Sequence, residues 1–312
     1  MKFRVLLVLI HFPLILLCAD QEIFLIFGGT TGWIGQKLMT LLKEQGKRVI
    51  SAQSRLENRQ DLEKEIDGIN PDFVINAAGV TGRPNIDWCE DHKAETVRAN
   101  IIGTLNLIDV CAQRKIHVTN IATGCIYTYD EQYPRGQGVT EEDKPNFEGS
   151  FYSKTKGMVE GLIHATYTNV LTLRVRMPIS DDLHPRSIVT KLTHYAKVIN
   201  IPNSMTVLHD MLPLIIEMTQ RKLKGIYNFT NPGTISHNEI LDLYKKYIDP
   251  AFTYKNFTVE EQAQVVKAPR SNTELNVDKL CVLFPDIPHI QESMHKVFQR
   301  MQQNFKQAAN AA

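Results

Sequence analysis

An apolar run, Ile23–Phe27, passes without a break into Gly28-Gly29-Thr30-Thr31-Gly32-Trp33-Ile34-Gly35 and then into an amphipathic stretch. No other segment restricts the fold so tightly. Strand, glycine-rich turn and helix in direct succession form the first half of a βαβ unit. The start of such a helix aims unpaired backbone N–H groups and the positive end of its dipole at whatever lies over the turn. A pyrophosphate suits that position. Gly29, Gly32 and Gly35 are spaced G-x-x-G-x-x-G, which differs from the common dinucleotide turn G-x-G-x-x-G. A Cβ at these glycines would hold the backbone away from the phosphates. Gly29, Thr31, Gly32, Trp33 and Ile34 are therefore the expected phosphate contacts.

Short apolar runs continue to alternate with helical ones. Arg48–Ala52, Phe73–Ala77, Val118–Ala122 and Leu171–Val175 read as buried parallel strands. Trp33–Gln45, Leu62–Ile69, Ala94–Arg114 and Tyr152–Thr166 read as helices, with Val97, Ile101, Leu105, Ile108 and Cys111 at helical spacing in the third. The rhythm predicts an α/β fold: a doubly wound parallel sheet with right-handed crossovers, carrying a smaller C-terminal lobe. Residues 22–177 make the dinucleotide-binding domain, and 209–230 return to it as a helix and a strand. Residues 178–290, punctuated by prolines, make a substrate lobe, and 291–312 a last helix and tail.

The end of the second strand selects between cofactors. An NAD enzyme usually puts Asp or Glu there. This chain reads Ser51-Ala52-Gln53-Ser54-Arg55. Arg55, with Arg59 nearby, is either the fork that takes a 2′-phosphate or a solvated surface arginine. NADP(H) is the expected cofactor, with NAD(H) an open alternative. Asn76-Ala77-Ala78 closes the third strand and either approaches the adenine side or simply ends the strand.

The chemistry-bearing residues follow. Tyr152 and Lys156 are spaced i, i+4, so a helix presents both to one pocket. A neighbouring ammonium favours the phenolate of a group that otherwise titrates near about 10. Thr123, at the end of the fourth strand, supplies a hydroxyl for a carbonyl oxygen. Cys125 lies two residues further on. It is either a small buried apolar side chain or a thiol base toward a carbon acid.

The bulk properties exclude several classes. The 312 residues carry 35 basic and 34 acidic side chains, a net charge of +1, with no basic stripe for nucleic acid. Five cysteines show neither zinc spacing nor pairing, so no metal site or disulfide framework is expected. At the N-terminus, Lys2 and Arg4 precede an apolar run from Val5 to Leu17, then Cys18 and Ala19. That stretch, residues 1–21, is signal-like and too short for a comfortable span. It leaves secretory targeting open beside the cytoplasmic location that reduced nicotinamide and a nucleotide sugar imply. Asn228 and Asn256 each begin an N-F-T sequon, the first inside a predicted strand.

From Ile23 to about Pro285 the chain resembles the eukaryotic bifunctional 3,5-epimerase/4-reductases of nucleotide-L-rhamnose synthesis, members of the extended short-chain dehydrogenase/reductase group. The resemblance rests on Gly32-Trp33-Ile34-Gly35, Asn76 through Glu90, Ala122 through Ile126, Gly149 through Lys156, Leu173 through Ser180, and Ala268 through Asn272. It implies a catalytic set of Thr123, Cys125, Tyr152, Lys156 and Lys191, with Cys125 and Lys191 moving protons on carbon and His184 competing for the role of Lys191. Arg83, Asn85, Asp87 and Arg270 are the implied substrate contacts, Arg270 on the diphosphate. The substrate would be a nucleotide-linked 4-keto-6-deoxy sugar, UDP- or dTDP-bearing, supplied by a separate 4,6-dehydratase. Assembly as a homodimer is left open. Two other resemblances compete: a 4-ketorhamnose reductase without epimerase activity, and the NADP-binding regulatory beta subunit of methionine adenosyltransferase.

Overall fold

In the computed structural model, residues 21–311 are described; nearly all of the signal-like stretch, residues 1–20, lies outside them. The first half of the chain contains β1 (Ile23–Phe27), α1 (Trp33–Glu44), β2 (Arg48–Ser51), α2 (Arg59–Ile69), β3 (Phe73–Asn76), α3 (Trp88–Asp91), α4 (Lys93–Val97), a π-helical stretch (Arg98–Gly103), α5 (Thr104–Gln113) and β4 (His117–Thr123). Then come α6 (Phe151–Thr166), β5 (Val170–Val175), α7 (Ile188–Thr193), β6 (Val198–Ile199), α8 (Leu208–Gln220) and β7 (Gly225–Asn228). The chain finishes with α9 (His237–Tyr247), β8 (Asn256–Phe257), α10 (Val259–Val265), α11 (Asp278–Leu283) and α12 (Ile290–Ala311). No helix among the described residues is long and apolar enough to cross a membrane.

Six parallel strands form one sheet in the order β2-β1-β3-β4-β5-β7. The order reverses between β1 and β3, so the α1 turn and the β3 loop open a crevice at the carboxyl ends of the strands. Side chains of β1 alternate between two buried layers, because successive residues of a strand face opposite sides. Phe24 and Ile26 pack with Leu38 and Leu42 of α1 and Met211 and Ile215 of α8. Leu25 and Phe27 pack with Leu62 of α2, Leu107 and Ile108 of α5, and Val159 and Ile163 of α6. A third core joins Val189 and Leu192 of α7, Ile240 and Leu241 of α9, and Val297 and Phe298 of α12. That core supports the lobe, beside which β6 pairs with β8.

The strands expected from the sequence fall within one residue of those observed. The helix expected over 94–114 differs, because its middle widens into the π stretch. There the Asn100 side chain turns inward and bonds both the N–H and the carbonyl of Val80, each at 2.8 Å. One extra residue per turn aims this amide at the β3 loop and fixes that loop over the crevice. Asn228, from the first sequon, is fully buried in β7, where its Nδ2 donates to the carbonyls of Val139 and Asn276.

One ion pair is buried between helix and sheet. Glu160 of α6 takes Nη2 of Arg174 of β5 at 2.7 Å and Nε at 3.2 Å, with both residues almost wholly buried. Removing the acid strands a charge in the interior. Glu160→Ala should lower the unfolding free energy by about 3–5 kcal/mol, read by urea denaturation. A loss below about 1 kcal/mol would mean that water or Glu141 re-partners Arg174.

Candidate active site

The glycine-rich turn is built by contact, not by composition alone. Gly28 has φ +82°, and a Cβ on Gly35 would stand 2.2 Å from the Gly28 carbonyl oxygen. Only a residue without a side chain lets α1 start this close to β1. The pocket over the turn is lined by Gly28, Thr30, Thr31, Gly32, Gln53–Glu57, Ala77–Val80 and Arg186. It fits a dinucleotide: a phosphate cradle at one end, a ribose-facing segment at the end of β2, and the small Ala77 and Ala78 across from it.

Several expected cofactor residues take other positions. Gly29 abuts Ser51 of β2, where a Cβ would lie 2.8 Å from its Oγ. The Trp33 side chain leaves the pocket and stacks on His184 at 4.8 Å, while Ile34 packs on the α1 core. The backbone of both still opens α1. Asn76 is buried, donates to Asn120 Oδ1 at 2.9 Å and accepts from Ala78 N–H, so it shapes the turn from below. Arg55 lines the pocket with its side chain 86% exposed, 3.9 Å from Glu57. Arg59 turns away, because Asp109 of α5 and Glu63 hold its fork at 2.6 and 3.0 Å. Among the lining residues not expected from the sequence, two are charged. Glu57 follows Arg55 by two residues, past the usual acid position, whereas Arg186 comes from a remote segment that only the fold brings to the pocket.

Thr123, Cys125, Tyr152 and Lys156 meet where β4 ends and α6 begins. Ser150 caps α6, its Oγ accepting the Ser153 N–H at 3.0 Å, which starts the helix just ahead of Tyr152. Thr123 Oγ1 accepts from the Cys125 N–H at 3.1 Å, so hydroxyl and thiol share one strand end. Burial drives the Tyr152 phenol well above its ordinary range; a neighbouring Cys125 adds to this and the Thr123 hydroxyl opposes it. Burial lowers Lys156 from 10.5 to about 8, against the pull of Glu160 one turn further along α6.

The substrate-side residues divide into two groups. Arg270 forms a bidentate pair with Asp87, at 2.6 and 2.9 Å, and reaches Asn85 Oδ1 at 3.5 Å. The fork expected on a diphosphate is thus committed to Asp87. Burial raises Asp87, but Arg270 and backbone N–H groups outweigh it and leave the carboxyl below its usual range. Lys191, in α7, is half-buried; burial, then the charge of Arg186, lowers its pKa. Arg83 lies near Arg186 and adds to the lowering that burial imposes on it. His184 stacks on Trp33 beside Lys37 and Asp182, in a different cavity from the dinucleotide pocket.

A doubly wound sheet with this turn and a Thr–Tyr–Lys set at its carboxyl rim defines a nicotinamide-dinucleotide enzyme. The chain belongs to the NAD dependent epimerase/dehydratase family, whose model matches residues 25–211. It is 56% identical over 276 residues to a bifunctional dTDP-4-dehydrorhamnose 3,5-epimerase/dTDP-4-dehydrorhamnose reductase of Arabidopsis thaliana, covering 88% of this chain and 91% of that protein. A trifunctional UDP-glucose 4,6-dehydratase/UDP-4-keto-6-deoxy-D-glucose 3,5-epimerase/UDP-4-keto-L-rhamnose-reductase of the same plant is also 56% identical, but this chain spans only 41% of its length. The crystal structure of the L780 UDP-rhamnose synthase from Acanthamoeba polyphaga mimivirus superposes with a TM-score of 0.86 at 42% identity, covering 90% of this chain and all of that one.

The buried lysine makes stability depend on pH. Lys156 releases its proton near pH 8 when folded and near 10.5 when unfolded, so burying the ammonium costs stability at every pH below 8. Lys156→Met should therefore stabilise the cofactor-free protein by about 1–3 kcal/mol at pH 7. The gain should fade as pH rises from 8 toward 10.5. Thermal denaturation across that range checks it; a gain independent of pH would mean that packing, not charge, is responsible.

Proposed function

We propose that this protein inverts carbons 3 and 5 of a UDP- or dTDP-linked 4-keto-6-deoxyglucose and reduces carbon 4 with NADPH, yielding nucleotide-linked L-rhamnose. One observation carries the reading. A half-buried thiol, Cys125, shares its strand end with Thr123 and borders Tyr152. Ketone reduction alone needs no thiol there, and neither does a non-catalytic regulatory subunit. The names of the plant and viral relatives support the same chemistry.

The ketone at carbon 4 acidifies the hydrogens at carbons 3 and 5. Cys125 takes each in turn, Thr123 and Tyr152 hold the enolate oxygen, and Lys191 returns a proton to the opposite face. NADPH supplies hydride to carbon 4. Tyr152 then donates the proton to the oxygen, and the Lys156 ammonium one turn along α6 would offset the burial that disfavours its phenolate. One oxyanion position serves both reactions. The exposed guanidinium of Arg55 supports NADP(H) through the 2′-phosphate, while Glu57 at the same rim gives NAD(H) a ribose acceptor. Residues 22–177 with 209–230 form the cofactor-binding part, and 178–290 the lobe that closes on the sugar through Arg83, Asn85, Asp87 and Arg270. A 4,6-dehydratase supplies the ketone. Ile102, Met158 and Leu162, each about half exposed on neighbouring helices, support a homodimer. Sugar nucleotides and NADPH are chiefly cytosolic, which supports a cytoplasmic site of action.

Incubation with UDP-4-keto-6-deoxyglucose in D₂O without NADPH reports the first half-reaction. Wild type should exchange the hydrogens at carbons 3 and 5, and Cys125→Ser should slow exchange by about 10²–10⁴-fold. Tyr152→Phe should still bind NADPH yet hardly consume it. Exchange by Cys125→Ser at the wild-type rate would sink the thiol's role. Tight NADPH binding with no turnover of any 4-keto-6-deoxy sugar would favour the regulatory reading instead.

A further inference from the structure

We infer that Arg186 is a diphosphate contact that the substrate lobe extends over the cofactor, gripping the pyrophosphate of the nicotinamide dinucleotide from the side opposite the glycine-rich turn. The inference rests on the cofactor half of the proposed function and needs nothing from the sugar chemistry.

Arg186 belongs to the segment between β5 and α7, far in sequence from the first βαβ unit, yet it lines the pocket over Gly28–Gly32. Its backbone is set by a chain of contacts onto α1. Lys37 of α1 pairs with Asp182 at 2.6 Å, and Trp33, the first residue of α1, stacks on the His184 ring at an interplanar angle of 4°. His184 N–H donates to Asp182 Oδ1 at 3.1 Å, and Arg186 N–H donates to His184 Nδ1 at 3.1 Å. From the other side, Arg300 of α12 holds Asp181 at 2.5 Å. A residue two positions beyond His184 is thereby tied to the N-terminus of α1, where a dinucleotide's pyrophosphate lies. The adenosine end of the pocket, marked by Arg55, follows the end of β2.

The charges point the same way. Among the described residues neither Arg186 nor Arg83 takes part in an ion pair, whereas Arg59 and Arg270 are each held by a carboxylate. Burial lowers both Arg186 and Lys191, and Arg83 lies near enough to Arg186, and Arg186 near enough to Lys191, to add to that lowering. Three cations without an acid among them repel one another until an anion enters. A planar fork matches two phosphate oxygens at once. Bound cofactor would then fasten the lobe segment whose continuation, after Ser187, is α7 with Lys191.

Direct titration of cofactor into wild type, Arg186→Ala and Arg186→Lys, followed by calorimetry, separates the sources of phosphate. The pyrophosphate is common to both nicotinamide cofactors. Arg186→Ala should therefore weaken NADPH and NADH alike, by about 10- to 100-fold. Arg186→Lys should recover part of the loss, and the unfolding temperature without ligand should stay within about 2 °C of wild type. Arg55→Ala serves as the contrast, weakening NADPH alone. Loss confined to NADPH in Arg186→Ala would reassign the residue to the 2′-phosphate and overturn the inference. Unchanged cofactor affinity with weakened binding of UDP would reassign it to the sugar nucleotide, and overturn it equally. Calorimetry needs no sugar substrate, so a wild type that binds cofactor but performs no epimerisation would defeat the functional reading and leave this result standing.

Discussion

The buried pair between Glu160 and Arg174 is the interaction on which the site depends. It joins α6 to β5 inside the protein, and Arg174 also lies over the Tyr127 ring, 5.2 Å from its centroid. A carboxylate and a guanidinium this deep are tolerated because each satisfies the other and the remaining N–H groups find the oxygens of Thr140 and Asn228. Glu160 follows Lys156 by one helical turn, and Lys156 follows Tyr152 by another. The pair therefore fixes the rotation of α6 about its axis, and with it the direction in which phenol and ammonium point. It also sets the local field, since burial works to neutralise Lys156 while Glu160 works to keep it charged.

Charge also joins elements far apart in the chain. Lys37 with Asp182, Arg300 with Asp181, and Arg270 with Asp87 each tie the lobe or its connecting segment to a neighbouring element. These pairs are partly exposed, so each contributes little stability alone. Their effect is geometric: a lobe held by apolar contact could slide, whereas paired charges prefer one register. The Asp87–Arg270 pair spans the crevice mouth, from the loop after β3 to the segment after α10. Epimerisation followed by reduction requires one pocket to reach both carbons that flank the ketone and then the ketone carbon itself. A crevice with a defined register is the simplest device that can do so.

What the sequence determined is mostly local or periodic. The strand–turn–helix at Ile23–Glu44, the parallel strands and the pairing of Tyr152 with Lys156 on one helix face are legible because each rests on contacts within a few residues. Period-2 and period-3.6 patterns report burial directly, and a helix guarantees that i and i+4 meet. Thr123 and Cys125 were legible for the same reason, being two positions apart at one strand end. The roles expected of Cys125, Lys191 and Arg270 rest on likeness to a family, not on pattern.

Only the tertiary structure decided where long side chains spend their charge. Arg59, Arg55 and Arg270 look equivalent in sequence, yet one is bound by α5, one stays mostly exposed at the pocket rim, and one is held by an acid 183 positions away. Trp33, expected over the phosphates, instead meets His184. Asn100 found the Val80 backbone only because a π stretch re-aims it. Arg186 reaches the pocket over the glycine-rich turn only through the fold, from a segment far away in the chain. Electrostatic energy depends on distance in space, and partners separated by scores of residues are chosen by how the layers pack. The sequence fixes which charges exist and which face of each element they occupy; packing alone decides which of them meet.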